Sequence, residues 1–289
     1  MTGARVLTAL VLIPIVVGVV WWGPSYLVAG LAALVLLPAL YEFFRLGAQI
    51  GLPGYWRWTT LCSLLLLYAQ WAGGQVERHA LGFGMDIVKN AGGLNLSIEI
   101  VCLIFVAGIS AIGLGTRRPI AEIFPSSAVS AAAFLFVSLP FSYLVRVDAT
   151  ERVGKQLVLF TLCLVWAGDT LAYFVGRSMG RIKMAPALSP KKTWEGAAGN
   201  LIAALLVGAL FSYWMQADLT VMLIVAALAN VAGQVGDLFE SAYKRSAGVK
   251  DSGAILPGHG GMLDRIDSLI FAAPVVWCYV GWWAWRGHG

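Results

Sequence analysis

The sequence predicts an all-α polytopic integral membrane protein with about nine transmembrane helices. Three observations carry that prediction. Of 289 residues, 59% are hydrophobic and only 12% are charged, with a mean hydropathy of +0.79, whereas soluble domains carry about 25% charged residues. Apolar runs near the roughly 20 residues that a helix needs to cross the hydrocarbon recur along the chain. The alternating pattern of a transmembrane barrel is absent, so helices must satisfy the backbone inside lipid.

The spans fall near 5–23, 25–45, 57–72, 97–115, 125–145, 156–175, 200–216, 219–240 and 267–286. The first has an apolar core longer than the roughly 7–15 residues of a signal peptide, and no small-residue cleavage site follows Trp21-Trp22-Gly23, so it reads as an uncleaved helix. Glu42, near the end of the second, reads as a helix-end charge at the interface. The third is short and flanked by Trp56 and Trp58, which leaves a count of eight or ten open. The connector 73–96, with Gly73-Gly74 and Gly92-Gly93, is polar enough to lie outside the bilayer. Most Trp residues mark membrane interfaces. Cys62, Cys102, Cys163 and Cys278 lie in or beside apolar spans without a CxxC pair and read as buried small apolar residues.

Lys and Arg set the orientation. With the N-terminus in the cytoplasm, 14 basic residues fall in inside segments and 6 in outside segments. Both of the most basic loops, 176–199 and 241–266, then lie on the cytoplasmic face. The formal net charge of +5 reads first as topology. Anionic headgroups or an anionic substrate are compatible with it, and no nucleic-acid partner is expected.

Up to about residue 155 the chain is apolar spans with ordinary connectors. Beyond that point ionisable residues enter the spans, where each costs about 2.5–3.5 kcal/mol at the bilayer centre unless paired or functional. In the sixth span Asp169, Tyr173 and Arg177 recur four residues apart on one helical face. In the eighth, Asn230, Gln234, Asp237, Ser241 and Lys244 keep one 3.6-residue period, which points to a water-filled cavity, with Glu240 on an adjacent strip.

Two loops complete the picture. In 176–199, Gly176 and Gly180 are suited to turning the backbone, and Ser189-Pro190-Lys191-Lys192-Thr193 offers ammonium and hydroxyl donors to phosphate oxygens. In the final loop, Asp264 and Asp267 sit one turn apart at the start of the ninth span, so both carboxylates can face one cavity. Hard divalent cations such as Mg²⁺ take such oxygens, and Asp237 can add a third. His259, among Gly258 and Gly260-Gly261, can donate to a phosphate.

At this point the chain resembles the integral-membrane phosphatidate cytidylyltransferases, or CDP-diacylglycerol synthases. The resemblance rests on Ser241, Lys244-Arg245, Lys250-Asp251, Gly253, Leu256-Pro257, His259-Gly260-Gly261 and Asp264-Arg265-Ile266-Asp267, with Tyr243 where an aliphatic residue or Phe is usual. Asp169-Thr170-Leu171-Ala172-Tyr173, Gly176-Arg177, the segment from Ser189 to Gly196, and Gly236-Asp237-Leu238-Phe239-Glu240-Ser241 support it, over roughly residues 165–268. The resemblance implies transfer of CMP from CTP to phosphatidic acid at the cytoplasmic face of a cell membrane, with Mg²⁺ and a second cation. It implies catalytic roles for Asp237, Lys244, Asp264 and Asp267, with Asp237, Asp264 and Asp267 as metal ligands. Substrate contacts would come from Ser189, Lys192, Thr193, Ser241, Arg245, Lys250, His259, Arg265 and Asp169. Residues 156–289 would be the catalytic domain in the bilayer and 1–155 a lipid-facing or oligomerising one, with a homodimer as a family-based expectation. Two other readings stay open: a CTP-dependent lipid kinase on a related scaffold, and an ion or anion transporter.

Overall fold

The computed structural model describes residues 2–82, 96–150, 152–253, 255 and 260–283. The described chain is almost wholly helical. It divides into two compact units, residues Met1–Gly154 with Asp251–Leu263, and residues Lys155–Lys250 with Asp264–Gly289.

The first unit contains α1 (Thr2–Trp22), α2 (Ser25–Gln49), α3 (Trp56–Gly82) and α4 (Ile98–Gly115), then a continuous helical stretch made of α5 (Ile120–Ala132), a π-helical segment (Ala133–Ser138) and α6 (Leu139–Asp148). Its core joins Tyr55, Cys62, Leu66, Val101, Phe105 and Phe134, with Phe105 and Phe134 stacked at 4.1 Å. Because lipid tails are as apolar as Leu, helix pairs in a bilayer need close packing and polar contacts as well as oily surface. Buried serines supply the contacts: Ser63 Oγ and Ser138 Oγ share a 2.7 Å hydrogen bond, Gln70 Nε2 donates to Ser142 Oγ at 3.0 Å, and the Tyr55 amide donates to Ser130 Oγ at 2.7 Å. The π segment was not legible in the sequence. Pro140, in the first turn of α6, has no N–H for the carbonyl four residues back and its ring crowds that carbonyl; a wider turn ahead of it relieves the clash.

The second unit contains α7 (Gly154–Ser178), a short hairpin of β1 (Lys183–Ala185) and β2 (Ser189–Thr193), α8 (Trp194–Met215), α9 (Leu219–Ser246) and α10 (Leu263–Trp283). α8 and α9 form an antiparallel pair. Gln216 ends α8 in the left-handed conformation, and Asp218 Oδ1 caps α9 by accepting the Val221 amide at 3.0 Å. Small residues line their contact: a Cβ at Gly208 would lie 2.9 Å from the Ala226 methyl, the spacing that lets backbones approach in lipid.

Among the described residues six helical segments, Ser25–Gln49, Ile98–Gly115, Ile120–Asp148, Gly154–Ser178, Trp194–Met215 and Leu219–Ser246, are long and apolar enough to cross a membrane. The protein is an all-α polytopic integral membrane protein. Helices α1, α3 and α10 cover the other three expected spans without joining those six, so the count of nine does not follow. α3 runs ten residues past the expected end at 72, into the connector 73–96, most of whose remainder lies outside the described residues. Segment 176–199 is not simply a loop: Gly176 is still helical, and β1 and β2 pair antiparallel with an irregularity between Lys183 and Ala185. Strands this short, rich in Lys, carry no alternation for a sequence reading to detect. Cys278 is exposed rather than buried, and all four cysteines are free.

Candidate active site

Each element of the second unit brings one kind of side chain to a common place. The hairpin delivers lysines. Its base is closed by Trp194 N–H donating to the Ile182 carbonyl at 3.0 Å and by the Glu195 carboxylate accepting the Ile182 amide at 3.2 and 3.3 Å. Thr193 then caps α8, its Oγ1 accepting the Gly196 amide at 3.2 Å, which satisfies one of the helix's unpaired N–H groups. Lys191 and Lys192 are thereby held two residues and one residue from a rigid corner.

Helix α9 delivers acid and amide groups. Asn230 Nδ2 donates to Asn200 Oδ1 at 2.5 Å across the α8–α9 contact, and Gln234 Nε2 donates to Asn230 Oδ1 at 2.7 Å. One turn on comes Asp237, then Glu240, Ser241 and Lys244, the last three buried. The stripe predicted for this helix continues past its expected end at 240, because α9 is helical to Ser246.

Helix α10 approaches α9 closely at Gly236. A Cβ there would lie 2.6 Å from Phe271 Cδ2 and 2.7 Å from the Asp267 carbonyl oxygen, so no side chain fits. This contact brings one carboxylate oxygen each from Asp237, Glu240 and Asp267 within 4.8 Å of one another. Gly236→Ala is therefore expected to destabilise the protein by about 1–3 kcal/mol through overpacking and to lower activity by parting the carboxylates. Melting and turnover of the purified variant check this; a wild-type value for both would show that α9 can shift freely.

Charge compensation in the cluster is incomplete. Lys192 pairs with Asp237. Lys244, itself buried, pairs with Glu240 one turn back and with Asp264 Oδ1 at 2.5 Å. Asp267 Oδ1 accepts the Ser268 amide at 2.6 Å, and among the described residues it has no ion pair. Glu240 Oε1 is buried without a hydrogen-bond partner among the described residues. Three carboxylates with oxygens within 4.8 Å of one another repel, and an all-oxygen set of this kind suits a hard divalent cation. Asp237, Glu240 and Asp267 thus fit Mg²⁺ as ligands.

Beside the cluster lies a cavity of about 290 Å³, lined among others by Asp169, Tyr173, Lys191, Lys192, Thr193, Asn200, Gln234 and Asp237. Its lining mixes ammonium, carboxylate, amide and hydroxyl groups within a unit built of apolar helices. Gly176 and Gly196 also line it, and they let α7 and α8 cross closely: a Cβ at Gly196 would lie 3.4 Å from the Gly176 Cα. Gly176 therefore serves helix packing rather than the turn expected of it.

The remaining predicted residues divide. Asp169, Lys192, Thr193 and Asp237 meet at the cavity, while Lys244, Asp264 and Asp267 belong to the α9–α10 cluster. Arg245 is committed to backbone, with Nε donating to the Leu188 carbonyl at 3.0 Å and Nη1 to the Val249 carbonyl at 3.1 Å. Ser189 starts β2 away from the cavity lining, Ser241 is buried in α9, and Lys250 and Arg265 are exposed. Arg177 donates to the Tyr173 hydroxyl at 2.8 Å. His259 lies outside the described residues. Glu240, set aside as lying on a neighbouring strip, joins the acidic group; its i,i+4 spacing to Lys244 was the available signal.

The model of the Cytidylyltransferase family matches residues 3–283. The chain belongs to the cytidylyltransferase family. Among its relatives it is 40% identical to the phosphatidate cytidylyltransferase of Bacillus subtilis (strain 168) over 147 residues, 50% of this chain and 55% of that protein. It is 41% identical to the phosphatidate cytidylyltransferases of Staphylococcus haemolyticus and Staphylococcus saprophyticus over 155 residues, 53% of this chain and 58% of each of those. The chain thus spans a little over half the length of the curated relatives it matches. The matched range takes in every candidate site residue named above.

Proposed function

We propose that this protein transfers the CMP group of CTP to phosphatidic acid, giving CDP-diacylglycerol and pyrophosphate, at the cytoplasmic face of a cell membrane. The observation that carries the proposal is the cavity that places Lys191 and Lys192 beside Asp169 and Asp237, next to the Asp237–Glu240–Asp267 cluster, in a chain of the cytidylyltransferase family.

The chemistry needs no side-chain nucleophile. An oxygen of the lipid phosphate forms a bond to the α-phosphorus of CTP, and the bond from that phosphorus to the α–β bridging oxygen breaks. Its electron pair leaves with pyrophosphate. Two polyanions must meet, so the site's work is neutralisation and alignment. Lys191 and Lys192 supply fixed positive charge at the cavity, and exchange of Asp237 for a phosphate oxygen would release Lys192 toward the substrate. The Thr193 hydroxyl, which acts as acceptor in the α8 cap, still has its own proton to donate. Asp237, Glu240 and Asp267 would hold a divalent cation, which when bound offsets charge on the triphosphate and on the departing pyrophosphate. Asp264, one turn before Asp267, belongs to the proposal as a further cation ligand, and Lys244 pairs with it and with Glu240. Lys250, Arg265, Ser189, Ser241 and His259 belong to the proposal as substrate contacts, and Arg245 through the N–H groups that the backbone carbonyls leave over. A second cation and a homodimer through residues 1–155 are part of it as well.

The test is turnover by purified protein in mixed micelles with CTP, phosphatidic acid and Mg²⁺. Stoichiometric pyrophosphate and CDP-diacylglycerol are expected. Release of CDP would mark a CTP-dependent kinase instead, and absence of any turnover would remove the enzyme reading in favour of transport.

Lys192→Ala is expected to raise the KM for CTP and to lower kcat/KM by about 10²-fold, the scale of one lost charge-stabilising contact. An unchanged kcat/KM would take Lys192 out of the site.

A further inference from the structure

We propose that Glu42 is a positioning residue: it clamps Ser252 and Leu263 and thereby sets where α10 begins. In sequence Glu42 looks like a helix-end charge at the interface. In the structure it is 1% exposed, and a buried carboxylate costs several kcal/mol unless it is hydrogen-bonded; Oε2 carries those bonds here, while Oε1 has no hydrogen-bond partner among the described residues.

Its partners lie more than 200 residues along the chain. Glu42 Oε2 accepts two hydrogen bonds, from Ser252 Oγ at 2.9 Å and from the Leu263 amide at 2.9 Å. Leu263 is the first residue of α10, so that amide is one of the N–H groups a helix start leaves unpaired. A carboxylate there also faces the positive end of the helix dipole.

Two glycines make room for it. A Cβ on Gly253 or on Gly261 would lie 2.7 Å from Glu42 Cδ, closer than carbon atoms pack. Ser252, Gly253, Gly261 and Leu263 thus form a notch shaped around one carboxylate. The chain leaves this notch at Leu263, and the next residue is Asp264, with Asp267 one turn further on. At the other end Ser252 follows Lys250-Asp251. Among the described residues the hydrogen bonds of Glu42 go to Ser252 and Leu263; its effect travels through the peptide bond from Leu263 into α10.

The inference rests on the proposed transferase activity for its kinetic readout, and a second readout is independent of it. Glu42→Ala is expected to lower kcat by about 10²-fold, the cost of misplacing groups by about 1 Å, with the KM for CTP changed less than kcat. Glu42→Gln keeps an oxygen that can accept both bonds and should recover most of the loss. Hydrogen exchange at the peptide containing Leu263 should speed up in Glu42→Ala and return toward the wild-type rate in Glu42→Gln, whether or not the protein turns over. Ser252→Ala, which removes one of the two donors, should give a smaller loss that is not additive with Glu42→Ala, and it carries the test if Glu42→Ala fails to accumulate. Wild-type exchange at Leu263 in Glu42→Ala, or full additivity with Ser252→Ala, would overturn the clamp. A wild-type protein that releases no pyrophosphate would overturn the transferase reading and leave the exchange result to decide the clamp.

Discussion

Replacing Asp267 by Asn should lower CTP-dependent pyrophosphate release by at least about 10³-fold, because cation binding contributes several kcal/mol to a reaction of this kind and each 1.36 kcal/mol is tenfold in rate. The same change should leave the protein as stable as wild type or more so. The physical reason is the imbalance in the cluster. Asp237 has Lys192 and Glu240 has Lys244, whereas Asp267 has only the Ser268 amide among the described residues. A neutral amide of nearly the same shape removes the repulsion from two neighbouring carboxylates and removes a cation ligand with it. Function and stability therefore move in opposite directions, which a defect of folding cannot imitate. Turnover measured over a range of Mg²⁺ concentrations, beside thermal melting in detergent, gives both quantities. The residual activity should need more Mg²⁺ for half-saturation. Near-normal turnover would show that Asp267 is not a ligand.

Replacing Lys244 by Met should have the largest effect on stability, a loss of about 3–5 kcal/mol, the cost of leaving a buried charge without its partner. Lys244 is 9% exposed and is the described cation paired with both Glu240 and Asp264. Its removal leaves two carboxylates facing each other with Asp237 and Asp267 near by. Neutralising those partners in the triple variant with Glu240→Gln and Asp264→Asn should restore most of the melting temperature, since the unpaired charge is what destabilises. Activity should not return, because Glu240 is then no longer a cation ligand. A single Lys244→Met protein that melts like wild type would mean that water reaches the site freely enough to screen these charges.

Parts of this candidate site are legible in the sequence, and the reasons differ by residue. The stripe on α9 was readable because five polar residues on one 3.6-residue period stand out in a chain that is 59% hydrophobic. Asp264 and Asp267 were readable as a pair for the same reason of spacing, but their partners were not. Asp264 Oδ1 accepts from Lys244, and Glu240 joins Asp237 and Asp267 in the group whose oxygens lie within 4.8 Å of one another. Which of two neighbouring carboxylates faces a second helix depends on how the helices cross, and here that depends on Gly236 and Phe271. Thr193 was expected to meet substrate; its first role is a helix cap, a local feature that Thr before Trp194-Glu195-Gly196 does signal. Arg245 looked like a phosphate ligand by its position in the motif, yet two of its N–H groups hold carbonyls that no spacing rule could point to.

Glu42 marks the far limit of sequence reading. Nothing near it in the chain distinguishes it from an interfacial helix-end acid, and the residues that enclose it lie beyond position 250. Composition and period by themselves determined that this chain spans a membrane, that its charges gather in the second half, and which helical faces carry them. Those properties are local, set by 20-residue apolar runs and by a 3.6-residue turn. Tertiary structure alone decided that Lys192 meets Asp237 and Lys244 meets Asp264, where α10 starts and which three carboxylates come within 4.8 Å. Such pairings are made between residues tens to hundreds of positions apart, and their geometry is set by close contacts at a few glycines, where a single methyl group would part the helices.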